Sequence, residues 1–199
     1  MKRIIMHWTG GPYTPTKLDK HHYHIIIAGD GTLHMGDFPI GNNEKCIQGN
    51  YAAHTLNCNT GSIGISMACM LDAVENKTNG PCPMTKAQFH SMCRIVADMC
   101  KVHNIPVTAS TVLSHAEVQG TLKIKQKGKW DFTVLPFMPE LKGAKACGDY
   151  ARAVIVSYMQ PKEAVELVVK ATPKPQPPVQ MSGWKVFIAA LQAMFSRGK

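Results

Sequence analysis

"YHIIIAGDGTLHMG", residues 23–36, decides how the rest of the chain is read. Ile25, Ile26 and Ile27 are β-branched and apolar, the composition of a strand. Asp30-Gly31 follows, a pair that accepts positive φ at low cost and so reverses the chain. Leu33, His34 and Met35 then make a return strand, and the whole stretch reads as a hairpin. Two further runs read as strands: "RIIMHW", residues 3–8, and "SIGISMACM", residues 62–70. The first of them ends on His7 and runs straight into the polar, glycine-rich "TGG".

Between hairpin and third run, residues 41–61 are polar and turn-rich and read as surface loop with one short helix. Helical periodicity begins later. In "MTKAQFHSMCRIVADMCKVHNI", residues 84–105, Phe89, Met92, Cys93, Val96 and Cys100 recur three and four apart. Thr85 is placed to cap this helix, and Pro106 follows its end. Residues 114–133, rich in Gly and Lys, read as loop. A further helix is expected over 147–159, and Pro161 can open another with Ala164, Val165, Val168 and Val169 on one face. Strands followed by helices predict the α/β class, a mixed central β-sheet flanked by helices, with a C-terminal helical tail.

The composition breaks at "TPKPQPPVQ", residues 172–180, where four prolines in nine residues make a stiff, extended tether. The expected organisation is a domain over 1–171, a Pro-rich linker over 172–181 and a basic amphipathic helix over 182–199. Trp184, Phe187, Ile188, Leu191 and Phe195 form the apolar stripe of that helix. Linker and tail carry Lys174, Lys185, Arg197 and Lys199 and no acidic residue, which suits an anionic membrane or outer-envelope surface. Packing back on the domain, or self-association, is the competing reading of the same stripe.

The 199-residue chain has a formal net charge of +9, which favours anionic partners. No nucleic-acid recognition motif accompanies the charge, so nucleic acid is not expected as a partner. Seven cysteines, an odd number with no CxxC pair, point to free thiols and a reducing compartment of synthesis. Met1-Lys2-Arg3 is followed by too short an apolar run for a signal-peptide core. No apolar run reaches the roughly 20 residues of a membrane span.

His7, His115 in "LSHAE" and Asp131 in "GKWDF" are two imidazoles and a carboxylate, donors that zinc accepts while keeping a fourth position for water. Their spacing carries no local signature. A fold would have to bring them together, and a strand-end histidine bordering solvent is the bland alternative.

"HWTGG", "YHIIIAGDGTLHMG", "AAHTLNCNTGSIGIS", "MTKAQ", "SHAEV" and "GKWD" occur in this order. Together, over roughly residues 3–135, they resemble the zinc-dependent N-acetylmuramoyl-L-alanine amidase family, which includes phage amidase endolysins and animal peptidoglycan-recognition proteins. The resemblance implies an amidase-like fold and one zinc (Zn2+) per chain, held by His7, His115 and Asp131. It implies Tyr23 and Lys129 as catalytic residues, and places His54 and Asn59 in the groove that binds the muropeptide. Some relatives carry a glutamate where this chain has Ser66, which places it with the tyrosine-dependent branch. The short segment between His7 and Tyr23 implies that an early helix is missing. His34 reads as a surface strand residue. Of His21, His22 and His24, one is expected to support the site and two to be solvated. "KIKQKGK", residues 123–129, reads as a solvated edge or as an attractor of peptide carboxylates.

The implied substrate is bacterial peptidoglycan, cut at the amide between N-acetylmuramic acid and L-alanine. A phage-type endolysin, made in the host cytoplasm without a signal peptide and acting on the cell wall in the periplasm after release, is the leading expectation. A non-catalytic peptidoglycan-binding module and a cytosolic amidase recycling wall fragments are the alternatives.

Overall fold

The computed structural model describes residues 1–47 and 49–160. In chain order the elements are strand β1 (Arg3–Trp8), helix α1 (Lys17–His22) and strands β2 (Ile25–Ile27) and β3 (Leu33–Met35). A 3-10 turn (Ile40–Glu44) and strand β4 (Ser62–Met67) follow. Helix α2 (Lys86–Val102), strand β5 (Val112–Ser114) and helices α3 (His115–Leu122) and α4 (Ala144–Met159) complete them.

β1 is buried from Ile4 onward and β4 along its whole length. That is why both read as continuous apolar runs instead of alternating ones: parallel central strands are covered on both faces. The five strands lie in the order β3-β2-β4-β1-β5. β1 is parallel to both β4 and β5, β2 is parallel to β4, and β3 alone is antiparallel, at the edge. The hairpin is as expected, with Gly31 at φ +89 in its turn.

Alternation along β1 divides the core. Ile4, Met6 and Trp8 join the large cluster that includes Phe89, Met92, Cys93 and Val96 of α2 and Cys147, Ala151 and Ile155 of α4. Ile5 belongs to a smaller cluster with Cys58 and Val118 of α3. His7, two residues beyond Ile5, shares that second face. Thr85 caps α2 in a reciprocal box with Gln88, and the Gln88 amide also donates to the carbonyls of Ile27 (3.2 Å) and Ala68 (2.8 Å). These bonds fasten the start of α2 to the C-terminal ends of β2 and β4.

Three expectations are corrected. Residues 115–122 are helix, not loop. Ser114 and Glu117 form a capping box, Glu117 Oε2 accepting the Ser114 N–H at 2.8 Å, and the Arg152 guanidinium holds the same carboxylate at 2.8 and 3.1 Å. The S-x-x-E signal outweighs the glycine and lysines that made the segment look irregular. The early helix is present as the six residues of α1, nucleated by a Thr16–Asp19 capping box in the short segment between β1 and β2. α4 begins at Ala144, three residues before the expected start.

All seven cysteines are free, Cys93 and Cys100 among the buried ones. The expected helix after Pro161, the 172–181 linker and the 182–199 tail lie outside the described residues. Among the described residues no helix is long and apolar enough to cross a membrane.

Candidate metal centre and its cleft

Sheet topology brings the three separated donors together. β1 and β5 are neighbours, with Met6 opposite Ser114. The next residue of each chain segment, His7 and His115, therefore emerges side by side at the C-terminal edge of the parallel strands, where open α/β sheets place their sites. Asp131 is pinned from its flanks. Its carbonyl accepts the Ala116 N–H at 2.7 Å, Trp130 sits edge-on against Trp8 at 4.7 Å, and Phe132 is fully buried near Phe89.

His7 Nδ1, His115 Nδ1 and Asp131 Oδ2 lie 3.1 Å from one another in all three pairings. The residues are 0%, 4% and 6% exposed. Hydrogen-bond partners fix the ring tautomers. The Gln126 amide nitrogen donates to the carbonyls of Leu56 (2.9 Å) and Ile124 (3.3 Å), which turns Oε1 towards His115 Nε2 at 2.9 Å. His115 Nε2 therefore carries the proton, and in the neutral ring Nδ1 offers a lone pair. On the other side, His54 Nε2 faces the Ser62 carbonyl at 3.4 Å, and its Nδ1 faces the Thr55 hydroxyl at 2.8 Å and His7 Nε2 at 3.2 Å, with the same hydroxyl 3.4 Å from His7 Nε2. His7 Nε2–H donates into this chain, and its Nδ1 too points a lone pair inward. Burial pushes the His7 ring down to about 4 and the His54 ring well below its usual value, so both are neutral at pH 7. Burial raises the Asp131 carboxyl, but where the facing imidazoles are protonated their Nδ1–H bonds and charges, from His115 and His7, outweigh it and hold it at about 2.

Three polar atoms that converge pairwise at this distance need a proton or a cation among them. The donor set fits zinc: three ligands at 2.0–2.1 Å from a tetrahedral ion are about 3.3 Å apart, close to the 3.1 Å seen here. The outer bonds from Gln126 and His54 are the kind that orient metal-binding imidazoles.

The centre opens into a cleft of about 580 Å³ on one side and one of about 410 Å³ on the other. Tyr23, His54, His115 and Lys129 line both. The Tyr23 ring lies 5.2 Å from that of His7. Burial, and then the charge of Asp131, push its phenol up, which keeps it a proton donor at neutral pH. Lys129 is exposed at the rim, and its charge is near enough to help hold the His7 ring neutral. Asn59 also lines the larger cleft, its Oδ1 accepting the Thr55 N–H at 2.8 Å. His54, read from sequence as a groove residue, lines the cleft while both its ring nitrogens are engaged inward, one on His7.

The remaining histidines divide by burial. His24 is buried, bridging Asn43 Oδ1 (3.0 Å) and the Gly64 N–H (2.9 Å), and is a structural residue instead of a solvated one. His22 lines the larger cleft, His21 is exposed, and His34 stands on edge strand β3 beside Tyr13 and Asp30. Sequence reasoning missed Gln126, whose role depends on a hydrogen bond that no spacing announces.

Gly64 carries a separate expectation. A Cβ there would lie 2.4 Å from His54 Cγ, so the imidazole rests directly on the backbone of β4. Gly64→Ala is expected to displace His54, lower stability by about 1–3 kcal/mol as overpacking does, and weaken metal binding with it. Thermal melting and chelator competition on the same variant check both effects.

Residues 1–132 match the family described as N-acetylmuramoyl-L-alanine amidase, Amidase_2. No match is found among curated protein sequences. Among solved structures, the N-acetylmuramoyl-L-alanine amidase LysC of Clostridium intestinale URNW is 19% identical, covering 68% of this chain and 79% of its own, with a TM-score of 0.42. The hydrolase AmiA of Staphylococcus aureus is 9% identical over 88% of this chain and 77% of its own, with a TM-score of 0.49. The amidase AmiD of E. coli is 13% identical over 97% and 70%, with a TM-score of 0.45. With two thirds of its length matched, and with a mixed five-stranded sheet carrying the His7–His115–Asp131 centre, the chain belongs to the N-acetylmuramoyl-L-alanine amidase family.

Proposed function

We propose that the protein hydrolyses the amide between the lactyl group of N-acetylmuramic acid and L-alanine in bacterial peptidoglycan, with one zinc per chain. The observation that carries this reading is the convergence of three buried acceptor atoms at 3.1 Å beside an open cleft. His7, His115 and Asp131 would hold the metal. When bound, zinc supplies Lewis acidity and a water acidified towards a pKa of about 7.

The other groups act from the cleft walls. The Lys129 ammonium stands where it can stabilise negative charge growing on the scissile carbonyl oxygen. Tyr23, held protonated, donates its O–H to the reacting centre and can pass a proton towards the leaving amine. Asn59 and the neighbouring loop take the muropeptide. The test is mass spectrometry of purified wall after digestion. The expected products are lactyl-bearing glycan with a free carboxyl and stem peptides with a free N-terminal L-alanine. New reducing ends with the lactyl–alanine bond intact would contradict the proposal.

Retention of all three donors favours an enzyme over a non-catalytic binding module. The biological setting we infer is a phage-type endolysin that reaches the wall after release from the host cytoplasm. The apolar, basic stripe of residues 182–199 would then meet the anionic envelope. Truncation after Thr172 is expected to preserve activity on purified peptidoglycan while abolishing binding to anionic vesicles and killing of intact cells. Unchanged vesicle binding would end the envelope assignment, and a lower melting temperature with lower solubility would reassign the tail to packing.

A further inference from the structure

Gln126 falls in a lysine-rich stretch and is itself only 3% exposed. Besides its carbonyl, which accepts the Lys129 N–H, four polar contacts link it to three segments. The backbone N–H donates to Gln119 Oε1 on α3 at 2.9 Å, one helical turn beyond His115. The amide nitrogen donates to the Leu56 carbonyl at 2.9 Å, on the loop that walls the larger cleft, and to the Ile124 carbonyl at 3.3 Å. With the nitrogen so committed, Oε1 can only accept, and it accepts from His115 Nε2 at 2.9 Å.

We propose that Gln126 is a positioning residue of the metal centre: it locks His115 in the Nε2–H tautomer with the Nδ1 lone pair aimed at the metal, and couples that ligand to the cleft loop through the Leu56 carbonyl. This rests on the metal reading above. The two ends of the amide have separable duties. The oxygen serves the ligand; the nitrogen serves the loop that would touch substrate. Without the oxygen, His115 is free to place its proton on Nδ1, where it would face the Asp131 carboxylate and block metal entry.

Two substitutions in the full chain divide these duties. Gln126→Leu keeps the volume and removes both. Zinc affinity, read by chelator competition, is expected to fall by about 10–100-fold, the usual cost of losing an outer partner of a metal-bound histidine. Gln126→Glu keeps the acceptor and loses the donor. It is expected to restore zinc affinity towards the native value while KM for muropeptide stays raised, because the Leu56 carbonyl has lost its tie. Nitrogen NMR of the metal-stripped protein should find His115 as Nε2–H in the native chain and as a tautomer mixture in Gln126→Leu. Native zinc affinity in Gln126→Leu would overturn the proposal. So would equal loss of affinity in both variants in step with their melting temperatures, which marks a purely structural role. If the native protein takes up no zinc, the metal reading fails by itself. The tautomer measurement then still decides on Gln126: a shift in Gln126→Leu supports the lock, and an unchanged Nε2–H removes it.

Discussion

His115→Ala is expected to abolish stoichiometric zinc binding and nearly all wall hydrolysis. Three donors form the centre, and the loss of one leaves His7 Nδ1 and Asp131 Oδ2 with no third protein ligand. The effect should exceed the roughly 10–100-fold that follows removal of an outer partner. It should also cost stability, because Gln126 Oε1 would be left buried with no donor, a penalty of about 1–3 kcal/mol. Metal analysis of the purified variant, beside its rate on purified wall, checks the expectation. Stoichiometric zinc with native activity would remove His115 from the site.

Lys129→Ala is expected to act on turnover and leave the metal in place. Lys129 makes no bond to the three donors and stands exposed on the rim shared by both clefts. Its ammonium is placed for the transition state, where charge develops, more than for the ground state. Loss of one such group costs about two to three orders of magnitude in kcat. KM and zinc occupancy should change little. Steady-state kinetics on a soluble muropeptide, with metal content measured on the same sample, separates the two. A variant with unaltered kcat would exclude Lys129 from the mechanism.

The sheet was legible because central parallel strands concentrate apolar residues. "RIIMHW", "III" and "SIGISM" announce themselves by composition, and Asp30-Gly31 announces its turn. α2 was legible from its buried stripe and the Thr85 cap. α3 was not, although "SHAE" carries a capping box, because Gly120 and the lysines beyond it dilute the helical signal. In the site, the donor types were readable but their meeting was not. His7 and His115 are 108 residues apart, and only the β1–β5 pairing makes them neighbours. The groups that set the imidazole tautomers were the least readable. The Ser62 and Leu56 carbonyls belong to the backbone and leave no trace in sequence, so Gln126 and the inward role of His54 emerge only from the folded chain.

If His7, His115 and Asp131 hold a catalytic zinc, hydrolysis depends on that one ion. Titration of zinc into the metal-stripped protein tests it, with release of N-terminal alanine from purified wall as the readout. The predicted result is no release without metal, a linear rise with added zinc, and a plateau at one zinc per chain. Full activity in the stripped protein, or a rise that ignores that stoichiometry, would contradict it.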